Sequence, residues 1–359
     1  MATFHNLTVS SIIKETSECV SIAFDIPENL SKDFAYIQGQ YITLKLKVGD
    51  EEIRRCYSIC SSPVSDTDFR VAVKKVVNGK GSTWLNEQLK IGDSIGVLPP
   101  TGNFYPQLDA GNDKNYVLFA GGSGITPIIS ILKTIIVVEP QSHTTLFYAN
   151  LDEDSVVFNK ELDLLEGEYT ERVKIYHVLD KPKNEFDKVF TGIMTAEKTT
   201  EIINETKILD ADNEYFICGP PGMKEGVVTS LKSRNVPDNK INIEVFTIDE
   251  SQEEQVTEDD GGDSVIEAEA TIILDGDEFN FTVLPENSIL QTGLNEGLDV
   301  PFSCKGGMCM TCRAKLLEGS VKMTLNYALT EVEIKQGYIL TCQSHPTTKK
   351  VVVDYDQGL

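Results

Sequence analysis

A chain of 359 residues carrying a formal net charge of −24 has room for two or three separate cores. The acidity argues against nucleic acid, whose phosphates are bound mainly through Lys and Arg, and leaves basic protein partners or plain solubility as its uses. No segment has the uninterrupted apolar length of a membrane span, and Met1-Ala2-Thr3-Phe4-His5 has no basic region leading into an apolar run, so a cytoplasmic protein is expected.

From Phe4 to about Tyr105 short β-rich runs dominate: Leu7–Lys14, Cys19–Phe24, Tyr41–Leu46, Arg54–Cys60, Phe69–Val77 and Ser94–Leu98. Turn residues separate them, which predicts a small antiparallel barrel over 1–108. Within it Arg54-Arg55-Cys56-Tyr57-Ser58-Ile59-Cys60 stands out. Arg55, Tyr57 and Ser58 are expected on one side of a strand, offering a cation for a pyrophosphate, a ring for a flavin and a hydroxyl for its N5 edge. Alone, the pattern also fits a strand with a packed Tyr. Gly79-Lys80-Gly81-Ser82-Thr83-Trp84-Leu85 then opens a helix, with Leu85 and Leu89 on one face. Amides at its start, with the Ser82 and Thr83 hydroxyls, make a diphosphate seat, or else an ordinary capped surface helix. Trp84 is expected in the core.

From Asn115 the pattern becomes strand–helix alternation, predicting a parallel α/β domain over 113–247 that binds ligands beyond the carboxyl ends of its strands. Tyr116–Ala120, Thr145–Ala149, Val173–Leu179, Glu214–Cys218 and Ile241–Phe246 are the expected strands. Helices are expected over Ile128–Val138 and near Val156–Glu166 and Met223–Ser233. Gly121-Gly122-Ser123-Gly124-Ile125-Thr126-Pro127 is a glycine turn with Pro127 where a Rossmann fingerprint has its third glycine. Its amides still suit a phosphate, and Cys218-Gly219-Pro220-Pro221-Gly222-Met223 forms a second such turn. Two of them in one sheet suit a dinucleotide.

The stretch 248–265 carries many acids and no base, and is expected to be a flexible linker. Beyond it, in 266–359, Glu267–Leu274 and Phe279–Val283 form a hairpin across Asp275-Gly276. Asn287 or Ser288 caps a short helix through Leu294, and Ala314–Leu317 and Val351–Asp354 complete a small β-rich unit. Between these lie Cys304, Cys309 and Cys312, with Cys342 thirty residues on. Cys-x4-Cys-x2-Cys plus one remote Cys is the plant-type spacing for a [2Fe-2S] cluster. A structural zinc site is the rival, but zinc ribbons place their ligands as two close pairs along the chain. Gly306 and Gly307 permit dihedrals that a Cβ forbids, as a loop wrapped around sulfides requires. The remaining cysteines form no second metal-like group, consistent with a reducing compartment.

Together these motifs resemble the ferredoxin–NADP⁺ reductase superfamily: a flavin barrel, a nicotinamide domain and a C-terminal β-grasp ferredoxin. The segments 54–60, 120–127, 304–309, Asn326-Tyr327-Ala328-Leu329 and 337–343 most resemble the reductase subunits of phenylacetyl-CoA epoxidase complexes. The resemblance implies an NAD(P)H-dependent oxidoreductase with FAD and a [2Fe-2S] cluster, serving a di-iron epoxidase in phenylacetate degradation. Arg55 would face the FAD diphosphate, Tyr57 stack on the isoalloxazine and Ser58 lie near N5, while Gly81, Ser82 and Thr83 hold the diphosphate from the other side. Gly122, Gly124 and Thr126 would contact the dinucleotide, and Cys218, Gly219 and Pro220 lie near the nicotinamide. Glu244 and Phe246 match the family's carboxylate and aromatic beside the flavin. Cys304, Cys309, Cys312 and Cys342 would bind the cluster. Epoxidase reductases usually have an Arg after Asn150, whereas here Leu151-Asp152-Glu153-Asp154 follows. A carboxylate such as Asp152 repels a 2′-phosphate and accepts from a ribose 2′-OH, which favours NADH over NADPH unless Lys181 or Lys183 compensates.

Hydride carries two electrons and a cluster accepts one, so a flavin must stand between them. The expected order is NAD(P)H, FAD, [2Fe-2S], then an oxygenase. The rivals are a reductase for a ring-hydroxylating or steroid-hydroxylating oxygenase and, in another class, an iron–sulfur redox-sensing binding protein. The four scattered histidines offer no Rieske pair, so no oxygen chemistry is expected on this chain.

Overall fold

The computed structural model describes residues 3–208, 213–246 and 264–358. The expected linker, apart from its last two positions, lies outside the described residues.

The first sheet is built from β1 (His5–Thr16), β2 (Cys19–Asp25), β3 (Tyr41–Val48), β4 (Glu51–Ser58), β5 (Phe69–Lys74) and β6 (Ser94–Val97), with α1 (Lys80–Glu87) between the last two. All its ladders are antiparallel, in the order β4-β3-β6-β1-β2-β5. A bridge from Ile59 to Val71 joins the two edges and closes the barrel, leaving no long open edge. Leu7, Ile22, Ile42, Leu44, Ile59 and Val71 fill its interior, and Trp84 packs half-buried against them.

The second sheet runs through β7 (Asn115–Gly121), α2 (Ile125–Val138), β8 (His143–Asn150), α3 (Asn159–Glu168), β9 (Val173–Leu179), α4 (Ala196–Thr206), β10 (Asn213–Cys218), α5 (Pro221–Ser233) and β11 (Ile241–Glu244). Its strands are parallel in the order β11-β10-β7-β8-β9. The order reverses between β7 and β10, the point where such sheets open a crevice. Both glycine turns leave from these two strands. In α2 every residue from Ile125 to Ile136 is buried. A helix buried all round must be covered on all sides, and α2 packs with barrel residues Cys19, Cys60 and Ala72 as well as with its own sheet. Each such Ile contributes on the order of 2 kcal/mol when buried, so the first two domains share a core. Ser130 Oγ donates to the Ser61 carbonyl and Ser62 Oγ meets Thr134 Oγ1 across the same boundary.

The third unit contains β12 (Ala268–Leu274), β13 (Asp277–Val283), α6 (Ile289–Asn295), β14 (Arg313–Glu318), β15 (Val321–Met323), α7 (Glu331–Lys335), β16 (Tyr338–Leu340), β17 (Ser344–Pro346) and β18 (Lys350–Asp354). A mixed sheet in the order β13-β12-β18-β14-β16 carries α6 on one face, the β-grasp arrangement. Asp275 and Gly276 both take positive φ in the tight β12–β13 turn, and Ser288 caps α6 by accepting the Gln291 N–H. Among the described residues no helix is long and apolar enough to cross a membrane.

Candidate electron-transfer site

A cleft of about 390 Å³ lies where the three units meet. Arg55, Tyr57 and Ser58 reach it from β4, and Gly81 and Ser82 from the start of α1. Thr126, Glu244 and Phe246 come from the second unit, and Cys304 and Cys309 from the third. Ser58 corrects one expectation. Side chains alternate along a strand, so it belongs to the face opposite Arg55 and Tyr57. It is buried, and meets the cleft because β4 ends there beside Tyr41, its partner on β3. No side chain caps α1, so its first amides are free to meet an anion. Ser82 Oγ accepts the Val76 N–H at 3.1 Å and donates to the Gly79 carbonyl at 3.2 Å, which commits it to shaping the turn. Thr83 is not part of the cleft wall, and its amide closes the first turn onto the Gly79 carbonyl. A Cβ on Gly81 would stand 3.7 Å from Arg55 Cγ, so the helix start packs along that side chain. Tyr41, Cys56, Lys74 and Met308 line the cleft as well, and sequence reasoning did not single them out.

The two glycine turns lie back to back. A Cβ on Gly124 would fall 2.1 Å from the Cys218 carbonyl oxygen, and one on Gly121 would strike Met223 and Pro220. Gly124 is therefore glycine because the turn after β7 presses on the turn after β10. Gly122 faces open space with φ of 52°, leaving only Lys74 nearby. The Thr126 hydroxyl donates to the Ser123 carbonyl. Gly219 abuts Gly121, and Pro220 precedes α5. Cys218 is fully buried, its thiol pushed well up by that burial, and it sits beside Glu244 in the β10–β11 register. Desolvation raises the Glu244 carboxyl to about 7, opposed by the Val245 amide and by Lys224. Asp152 follows β8 on the same edge of the sheet. Its carboxylate accepts the Ser155 N–H at 3.0 Å and pairs with Lys183 at 3.1 Å, and the ammonium holds it below the usual range. Lys183 also pairs with Asp154.

In the third unit the four cysteines gather into two pairs, Cys304 with Cys309 and Cys312 with Cys342, each within hydrogen-bond reach. Two pairs of thiols suit two irons. The loop turns inward at Lys305 (φ 55°) and Gly307 (φ 71°), rather than at Gly306, and the Gly306 N–H points at Cys304 Sγ at 3.4 Å. Cys342 is brought to Cys312 by Thr341, whose N–H and hydroxyl both donate to the Cys312 carbonyl; the Tyr355 hydroxyl donates to Thr341 Oγ1. All eight cysteines are free of disulfides. These residues fit the groups that the spacing implied. The cleft would hold FAD and the thiol pairs the cluster, the flavin taking hydride and releasing electrons singly.

Three family models match in chain order: an oxidoreductase FAD-binding domain over residues 6–105, an oxidoreductase NAD-binding domain over 118–229 and a 2Fe-2S iron-sulfur cluster binding domain over 272–347. The chain is 35% identical over 358 residues to a subunit of the 1,2-phenylacetyl-CoA epoxidase of Escherichia coli K12, covering 99% of each. It is 34% identical to the 3-ketosteroid-9-alpha-monooxygenase ferredoxin reductase component of Rhodococcus rhodochrous, covering 97% of this chain and 96% of that one. In fold it resembles phthalate dioxygenase reductase, with a TM-score of 0.58 at 22% identity and 98% of each chain covered. With FAD-, NAD- and 2Fe-2S-binding domains in one polypeptide, the chain belongs to the family of ferredoxin reductases that includes these epoxidase and monooxygenase components.

Proposed function

We propose that this reductase draws electrons from NADH and delivers them, through FAD and the [2Fe-2S] cluster, to a phenylacetyl-CoA epoxidase-type di-iron oxygenase in the cytoplasm. The observation that carries the electron route is the shared cleft: Tyr57, Phe246 and the cluster residues Cys304 and Cys309 line one cavity. Tyr57 would stack on the flavin, Arg55 and the α1 amides would hold its diphosphate, and the turns at Gly122 and Cys218-Gly219 would seat the dinucleotide. The client is supported by full-length similarity to the epoxidase component. A steroid-hydroxylating client is the second reading, favoured by the nearly equal similarity to the ketosteroid monooxygenase component. NADH is supported by Asp152 and Asp154, which occupy the ammonium of Lys183 and leave two carboxylates where a 2′-phosphate would need cations. Eight free cysteines suit a reducing compartment.

The test reconstitutes the chain separately with the oxygenase components of an epoxidase and with a ketosteroid monooxygenase, following coupled product with each coenzyme. Turnover with the epoxidase and a higher kcat/KM for NADH are expected. Coupling only to the steroid enzyme would replace the client, and a clear NADPH preference would end the coenzyme assignment. Cys309→Ser should abolish cytochrome c reduction while ferricyanide reduction through the flavin persists; equal loss of both would refute the order of transfer.

A further inference from the structure

Of the polar contacts that join the flavin barrel to the cluster loop, three land on residues next to a cluster cysteine, beside a longer one from Asn103 Nδ2 to Met310 Sδ at 3.5 Å and the reach of the Cys56 thiol to Cys309 itself. Cys56 Sγ on β4 lies 3.1 Å from Ser303 Oγ, immediately before Cys304. Thr43 Oγ1 on β3 lies 3.3 Å from Thr311 Oγ1, immediately before Cys312, and 3.5 Å from the Cys56 thiol. The Tyr41 hydroxyl accepts the N–H of Met310, immediately after Cys309, at 2.7 Å. Thr43 and Cys56 face each other in the β3–β4 ladder and Tyr41 faces Ser58, so these three contacts spring from one rigid patch. Tyr41, Thr43, Ser303 and Thr311 are all buried.

Buried hydroxyls are costly unless paired, and the partners of these lie more than 240 residues away in another unit. An apolar patch would bury the same area but permit sliding, whereas hydrogen bonds are directional and fix register. The patch belongs to the strand pair that carries the flavin residues. Along β4, Tyr57 faces one side, and Cys56 faces the other toward Ser303.

We propose that Tyr41, Thr43 and Cys56 are positioning residues for electron transfer from flavin to cluster, locking the loop 303–312 against the strand pair that carries Tyr57 and Ser58. The step they serve moves one electron from the reduced flavin to the cluster, where one ferric iron becomes ferrous. The inference rests on that order of transfer.

The test uses the full-length holoprotein with Thr43→Val, Cys56→Ala, Cys56→Ser and, in parallel, Tyr41→Phe. Stopped-flow spectra resolve flavin reduction from cluster reduction, hydrogen exchange reports on peptides spanning 303–312, and acid-labile sulfide confirms that the cluster is present. In Thr43→Val, which lies outside the cleft, cluster reduction should slow by about fivefold to tenfold, the equivalent of one neutral hydrogen bond. Flavin reduction in the same trace should keep its wild-type rate, and exchange over 303–312 should quicken. Cys56→Ala should slow the cluster step similarly, and Cys56→Ser, which keeps a hydroxyl for Ser303, should restore it. Should a variant lose its sulfide, the Tyr41→Phe protein carries the comparison. Wild-type cluster reduction in the variants, whether or not exchange changes, overturns the proposal. A wild-type protein whose cluster is reduced without prior flavin reduction would instead refute the underlying order.

Discussion

Glu244 stands at the meeting of two cavities, the cleft proposed to hold the flavin and a neighbouring one of about 230 Å³ lined also by Tyr41 and Met308. With its carboxyl raised to about 7 by burial, it is a neutral acid below that pH and a poorly solvated anion above it. A flavin seated in the cleft would become more negative on reduction, which an ionised Glu244 would oppose and a neutral Glu244 would not. Ferricyanide reduction by NADH should therefore fall as pH rises through about 7, and Glu244→Gln should flatten that limb. The stability consequence has a definite sign. The native chain keeps this proton up to about 7, whereas the ordinary carboxyl value is 4.5, so the folded state binds more protons between them and loses stability as pH rises. The melting temperature of Glu244→Gln should gain on wild type from pH 5 to pH 8. A flat wild-type activity profile together with parallel melting curves would remove Glu244 from this role. Position 244 was singled out by its match to the family's carboxylate, not by its place in the expected strand Ile241–Phe246, which in the structure stops at Glu244. Tyr41, Cys56 and Lys74 were not legible, because a period-two pattern tells which residues share a face but not which face a cleft will use. Ser58 was misplaced for a different reason: the alternation itself puts it on the face opposite Tyr57, and it meets the cleft only because β4 ends there.

The cluster loop depends on backbone conformations that only some residues tolerate. Gly307 combines φ of 71° with a space in which a Cβ would lie 2.7 Å from the Leu325 carbonyl oxygen. Gly307→Ala must relieve both, at a cost of roughly 1–3 kcal/mol for the backbone alone, by pulling the loop away from its neighbours. Acid-labile sulfide per chain should fall well below wild type while flavin content is unchanged; full sulfide in the variant would show that the loop has slack. The long elements were legible: the barrel strands, α2 with its apolar run, and the hairpin at Asp275-Gly276. The helix α4 was missed because Ala196–Thr206 offers Ile202 and Ile203 as its only large apolar residues among threonines and charges, too thin a stripe to count. The elements β15, α7, β16 and β17 are three to five residues long, shorter than any periodicity needs. For α7 a local signal was available in the capping box from Thr330 to Glu333.

The arrangement of the three units was the least legible part, since its contacts join residues far apart in the chain, by 69 positions for Ser61 and Ser130 and by 269 for Tyr41 and Met310, and no local pattern encodes them. Arg54 shows how such a contact is made. Its side chain is 8% exposed, pairs with Asp299 of the ferredoxin unit at 2.9 Å and lies 4.3 Å from the centre of the Phe302 ring. In the sequence it was one more arginine beside Arg55. The Asp299 carboxylate is largely exposed, so solvent screens the ion pair and its share is small, whereas the guanidinium stacked on a ring is desolvated. Together they are worth on the order of 1 kcal/mol, or about fivefold in a docking equilibrium. Arg54→Ala should lower cytochrome c reduction by about that factor and leave ferricyanide reduction, which needs only the flavin, where it was. Asp299→Ala should do less, because the ring contact survives. A double-mutant cycle separates the two contributions: the coupling between Arg54 and Asp299 should shrink as salt is raised, while the remainder of the Arg54 effect persists. If Arg54→Ala and Asp299→Ala were equal in effect and both vanished at high salt, the dock would be purely ionic at its rim. The alignment of flavin and cluster would then rest on the buried hydroxyls of β3 and the thiol of Cys56, with Asn103 contacting Met310 and Glu333 beside them.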